Sequence, residues 1–192
     1  MQIIQWPNLL TSFNLALHEV LRSFFKTGGV HNFYGIATNV HRCSLHYNRD
    51  TILDPGDRPR IAFLGDRPAS PSPALSPGKC QSGGSRVKVM RTPVERITHV
   101  IIPRGEVYQV PPYTGQSRPA DKQMLDEVWQ NLLIVIHGVR DEFRARGIID
   151  IKLDHFPQEK SDDQYLVNTG RLVATVEYEM QTGFSPDNLP VV

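Results

Sequence analysis

The sequence predicts one α+β domain over residues 1–192, in which a mainly antiparallel sheet packs against an N-terminal helix and one long helix, with long proline-rich loops between them. Three observations predict it. Apolar residues recur at helical spacing near both ends of the chain. Short apolar runs bounded by turn signals lie between them. Residues 170–180 alternate apolar and polar with period two.

The first element is a helix over residues 8–26, where Leu10, Phe13, Leu17, Val20 and Phe24 make one stripe. Pro7 sits at its first turn and Gly28 and Gly29 close it. Residues 30–57 show weak periodicity; NFYGIATNV and CSLHYN there can form short strands. The DPGDRP turn leads into RIAFLG, residues 60–65, a short apolar strand.

Residues 66–85 then carry Pro68, Pro71, Pro73 and Pro77 among Gly, Ser and Ala, which resist helix and sheet alike and predict an extended loop. SRVKVM and VERITHVII read as a strand pair or one interrupted strand, with Pro93 at an edge or bulge. A second proline-rich loop covers 103–120. The strongest helix runs from 120 to 146, with Leu125, Val128, Leu132, Val135, Val139 and Phe143 as its stripe and Trp129, Leu133 and Ile136 widening it; Gly147 ends it. Strands follow at 148–156 and 170–180, separated by the polar stretch PQEKSDDQYLVNT. Leu172, Ala174, Val176, Tyr178 and Met180 face one way on the last strand, and residues 183–192 form a tail.

The 40% hydrophobic content is enough for a core without staples, and the formal net charge of +1 favours no overall nucleic-acid field. Two scattered cysteines, Cys43 and Cys80, outside any C-x-x-C pair, read as a reducing compartment. The N-terminus lacks the basic start of a secretory signal, and no apolar run of about 18 residues predicts a membrane span.

Candidate chemistry fails on spacing or context. His31, His41, Cys43 and His46 have metal-ligand chemistry, but their spacing matches no common zinc pattern and no second pair answers it. Gly78-Lys79 and Gly83-Gly84-Ser85 precede a strand rather than the helix a phosphate loop needs. No G-x-S-x-G occurs, and Asp162-Asp163 read as solvated. Asp150, Lys152 and Asp154 read as charge pairing along a strand. His99, His137 and His155 read as packed or surface residues. The expectation is therefore no enzyme, no cofactor and no metal.

Charge distribution is more informative. Between Arg58 and Arg104 there are nine basic residues and two acidic ones; from Asp141 onward there are ten acidic and five basic. The split suits either solvated surfaces or complementary docking surfaces. The basic stretch lacks interleaved aromatics, which disfavours direct nucleic-acid contact.

The order of features resembles the phage tail terminator proteins, neck components of long-tailed phages. The likeness lies in the leading amphipathic helix, Arg58-Pro59-Arg60-Ile61 entering a strand, and the Arg91-Thr92-Pro93 step into a strand that reaches Ile102. It continues through the helix at 121–146, the strand at 148–156 and a terminal strand opened by Gly170. It covers about residues 60–190 and leaves 30–57 unmatched. The resemblance implies a ring, usually a hexamer, that caps the tail tube and joins it to the head connector; a head–tail adaptor is the neighbouring alternative, and a small metal-binding domain the remote one. Implied partners are further copies of the chain, tail tube protein, the connector or stopper and sheath protein, with DNA only as lumen content and no membrane. The implied setting is the virion neck, assembled in the host cytoplasm. The residues expected to make contacts are Arg67, Lys79, Arg86, Lys88 and Arg91 on the basic side, Glu177 and Glu179 on the acidic strand, and Tyr108 and Tyr113 in the second loop.

Overall fold

A computed structural model describes residues 4–5, 9–47, 58–65, 87–107, 115–161 and 164–181. Its architecture is α+β. The strands are β1 (Ile4–Gln5), β2 (Gly29–Phe33), β3 (Ile36–Val40), β4 (Ser44–His46), β5 (Arg60–Leu64), β6 (Val87–Pro103), β7 (Ile148–Ser161) and β8 (Tyr165–Gln181). The helices are α1 (Leu9–Phe25), α2 (Asp121–Gly138) and α3 (Arg140–Ala145).

The central feature is the antiparallel ribbon of β6 and β8, paired from Val87↔Gln181 to Pro103↔Tyr165. β5 adds antiparallel to β6, and β4 adds parallel to β5. The other edge of β8 is shared by β7 and, beyond its end, by β1, which runs parallel at Tyr178–Glu179. β2 and β3 form a separate two-stranded sheet.

Period-two burial along the central strands fixes which face meets the helices. Thr92, Val94, Arg96, Thr98, Val100 and Ile102 on β6 are buried, as are Leu166, Leu172, Ala174, Val176 and Tyr178 on β8. Phe13, Leu17, Val20, Leu21 and Phe25 of α1 close over this face with Leu125, Val128, Leu132, Val135 and Ile136 of α2 and Phe143 of α3. The expected helix stripes are therefore the core, except that Leu10 and Phe24 are only partly buried while Leu21 and Phe25 take the deep positions.

Four expectations change. The long helix is two: Val139 leaves helical geometry at φ −116°, ψ 31° between α2 and α3. Gly138 lies at the break, where the Phe33 ring seats against bare backbone; a Cβ there would come within 2.5 Å of the ring's Cδ1. Val139 and Phe143 still reach the core because α3 continues beneath it.

The polar stretch after residue 156 is mostly sheet, because β7 extends to Ser161 and β8 begins at Tyr165. A register shift between Phe156 and Glu159 spans Pro157, the residue that cannot donate to a ladder. Gly170 lies inside β8 rather than at its start. It is small because Trp129 of α2 packs directly on it.

β6 is one continuous strand through Pro93. β5 pairs with it only from Ile97 to Ile101, so Pro93 lies where β6 has β8 alone as a strand neighbour among the described residues.

Arg60 and Arg96, counted above in the basic stretch, are both buried. The Arg60 guanidinium lies 5.4 Å from the Tyr165 ring centre. Arg96 lies on the helix-covered face, where Nε and Nη2 each donate to Asn14 Oδ1 at 3.2 Å and Nη1 donates to the Glu95 carbonyl at 3.2 Å. Burial lowers its pKa. Neither residue contributes to a basic surface.

Candidate functional site

The expected contact residues divide three ways. Arg67, Lys79, Arg86, Tyr108 and Tyr113 lie outside the described residues, as do Cys80, Asp162 and Asp163. Lys88 and Glu179 are placed as strand positions, opposite Met180 and Val89. Arg91 and Glu177 are placed with their side chains, and they meet each other. They are register partners on the open face of the sheet, with Arg91 Nε donating to Glu177 Oε2 at 3.0 Å.

Further along the same face, Arg171 Nε reaches diagonally to Glu95 Oε1 at 2.8 Å, its own register partners being Ile97 of β6 and Asp154 of β7. Pairing of β6 with β8 thus joins one base of the basic stretch to one acid of the acidic end, Arg91 with Glu177, while in the second pair the base lies on β8 and the acid on β6. Since Arg91 is exposed, Arg91→Ala is expected to cost below about 1 kcal/mol of stability. A charge reversal at either position should be rescued by reversing the other, as read from a double-mutant cycle of thermal melts.

The histidine and cysteine residues of segment 31–46 are dispersed by the fold. The His31 ring packs on Phe24 and Phe33 at centroid distances of 5.2 and 6.2 Å. His41 Nε2 contacts Glu127 Oε2 at 2.5 Å. Cys43 is buried, its thiol pushed up in pKa by burial, and its Sγ contacts the His41 carbonyl at 3.4 Å. His46 lies on β4 opposite Ala62. Among the described residues no group of three or more His, Cys, Asp or Glu side chains is placed to hold a metal ion, and no helix is long and apolar enough to cross a membrane.

The surface that stands out is the β2–β3 hairpin, from the segment that matched nothing in the sequence. Gly28 and Gly29 enter it at φ +65° and +97°. Gly28 is obligatory for a second reason: a Cβ there would lie 2.9 Å from Arg42 N and from Val40 O, so the two legs leave the body side by side. The tip is Tyr34-Gly35, both left-handed at φ +52° and +81°, as a two-residue type I′ turn requires. The Tyr34 hydroxyl donates to the His137 carbonyl at 2.9 Å, satisfying an acceptor in the last turn of α2.

Phe33 and Val40 anchor the hairpin in the core, while Val30, Tyr34 and Ile36 are 73%, 80% and 68% exposed. The buried Asn131 of α2 binds the outward side of β3: its Oδ1 accepts from His41 N at 2.9 Å and its Nδ2 donates to Asn39 O at 3.1 Å.

Glu127 completes this attachment. Burial by itself would raise its pKa, but hydrogen bonds from Gln123 and His41, together with the His41 charge, bring it below the ordinary glutamate value of 4.5. The folded chain therefore releases this proton more readily than the unfolded one. The resulting stability is present above that ordinary value and is lost as the pH falls through the lowered one. Because Glu127 is more than a third exposed, the effect is expected to stay below about 1 kcal/mol. Glu127→Gln should remove that part of the acid sensitivity of the melting temperature and leave the rest.

The hairpin's exposed apolar residues were missed among the sequence's candidates. The available signal was Tyr34-Gly35 between NF and IATNV, a residue-glycine pair at a two-residue turn. No protein-family model matches the chain, and no curated protein matches it.

Proposed function

We propose that this chain is a structural subunit of a homo-oligomeric ring, of the kind that terminates the tail tube of a long-tailed phage and joins the tail to the head connector. The order of elements that resembles the tail terminators supports the reading, as does an α+β body built on the β6–β8 ribbon. The observation that carries self-assembly is the β2–β3 hairpin. It stands apart from the main sheet and presents Val30, Tyr34 and Ile36 to solvent on a rigidly attached ribbon. Exposed apolar residues grouped on one small element mark an association surface more often than scattered ones do.

Ring subunits meet through repeated copies of the same interface, so a preformed, apolar, uncharged element on each copy is what closure uses. The test is the mass of the purified chain in solution with negative-stain electron microscopy, alone and with tail tube protein. Rings of uniform diameter are expected. A strict monomer that binds neither tube nor connector protein overturns the proposal.

A further inference from the structure

The hydrogen-bond phase of the hairpin determines which backbone groups face outward. Phe33 and Ile36 flank the two-residue turn and are paired, so their N–H and C=O groups point at each other. With period two, His31 and Thr38, then Gly29 and Val40, do the same. Val30 and Asn32 on β2, and Ala37 and Asn39 on β3, must then point away from the ribbon. An independent contact agrees: Asn131 binds Asn39 O and His41 N, the outward groups of β3 and its continuation.

The two edges are treated differently. On the β3 side, Asn131 takes one outward group, Asn39 O, and His41 N just beyond the strand. The edge of β2 presents the N–H and C=O of Val30 and Asn32 beside exposed side chains, and among the described residues no backbone group is bonded to them. Bare edges are usually blunted by a lysine, a proline or a bulge. Gly29-Val30-His31-Asn32-Phe33 has no Lys, Arg, Asp, Glu or Pro, and pairs with β3 without a register shift.

We infer that the outer edge of β2 is a strand-addition site for a second copy of this chain, joined antiparallel through the same edge. The edge is its own complement. A two-fold axis through His31 places Val30 opposite Asn32 of the other copy and Asn32 opposite its Val30. All four outward groups on each copy are thereby matched, and no like charges meet along the strand. The result is a four-stranded sheet with β3 at each margin, a more stable unit than a lone two-stranded ribbon. This two-fold contact uses the outward backbone groups of β2, whereas the ring reading rests on the hairpin's exposed apolar side chains, and so it goes beyond that reading.

The test is sedimentation velocity on wild type, Asn32→Pro and Val30→Lys over a range of concentrations. The Asn32 N–H is not used within the hairpin, so proline removes an outward donor while sparing the β2–β3 bonds. An unchanged thermal melt checks the fold, and Val30→Lys serves if the proline variant does not fold. Wild type is expected to form a dimer, weakened at least about tenfold by either substitution. In wild type the Val30 and Asn32 amides should gain hydrogen-exchange protection as concentration rises. Equal association of all three proteins, or a wild type that never dimerises, overturns the inference. Rings that form from Asn32→Pro while its dimer contact is lost support the edge contact and leave the ring reading standing. Rings from wild type with both amides unprotected overturn the edge contact alone.

Discussion

Gly170→Ala is expected to destabilise the chain by about 3 kcal/mol, at the upper end of the usual overpacking range. Gly170 lies on the helix-covered face of β8, opposite Thr98 of β6 and His155 of β7. A Cβ there would collide with Cη2 of Trp129, come within 2.5 Å of its Cζ2 and sit 2.7 Å from the Asp154 carbonyl. The carbonyl belongs to the sheet ladder and cannot move without breaking it. The indole is 4% exposed and held between α2 and the sheet. With neither side able to yield, the clash must be relieved by lifting α2. In a chain of this size the melting temperature should fall by roughly 6–12 °C. Pairing Gly170→Ala with Trp129→Leu should recover part of that loss, because the smaller side chain vacates the space. The two changes should therefore be less than additive. Full additivity would show that the glycine is needed for some reason other than the indole.

Asn131→Leu is expected to have the second largest effect, and a local one. Leucine keeps asparagine's branching and number of heavy atoms, though it is bulkier, and it can neither accept from His41 N nor donate to Asn39 O. Orphaning a fully buried backbone group costs about 1–3 kcal/mol; His41 N and Asn39 O lose a part-buried partner, so each should cost toward the lower end of that range. Both belong to the hairpin, so the loss should appear first as faster amide exchange across β2 and β3, with β6 and β8 still protected. Asn131→Asp should be milder at the His41 end and harsher at the Asn39 end, since a carboxylate accepts but cannot donate. Uniform loss of protection through the whole sheet would mean that Asn131 supports the core rather than the hairpin.

How much was legible varied by element, for physical reasons. The extent of α1 was read to within a residue at each end, because a 3.6-residue stripe is local information, but its buried face was read only in part, since Leu21 and Phe25 lie deep where Leu10 and Phe24 were expected. The inner face of β8 was read from period-two alternation, and the fold class from the sum of such segments. The Gly138 break in the long helix was not legible. Glycine inside a helical pattern is tolerated in general, and only the Phe33 ring from a distant hairpin makes it the place where helix geometry ends. The polar run after residue 156 was read as loop because it is charged. It is strand because β8 offers a continuous edge that backbone groups can join whatever their side chains.

The candidate contacts divide along the same line. By itself the sequence determined the residue types: a basic middle and an acidic end. Only the tertiary structure decided what those residues meet. Strand pairing placed Arg91 of the basic middle against Glu177 of the acidic end, and brought Arg171 of β8 diagonally to Glu95 of β6. Folding also buried Arg60 and Arg96, removing two charges from the surface that composition had assigned to it. In the same way it left Val30, Tyr34 and Ile36 in solvent and put an asparagine from α2 on one edge of their ribbon. Charge and hydropathy belong to the residue, whereas exposure and pairing belong to contacts between segments far apart in the chain.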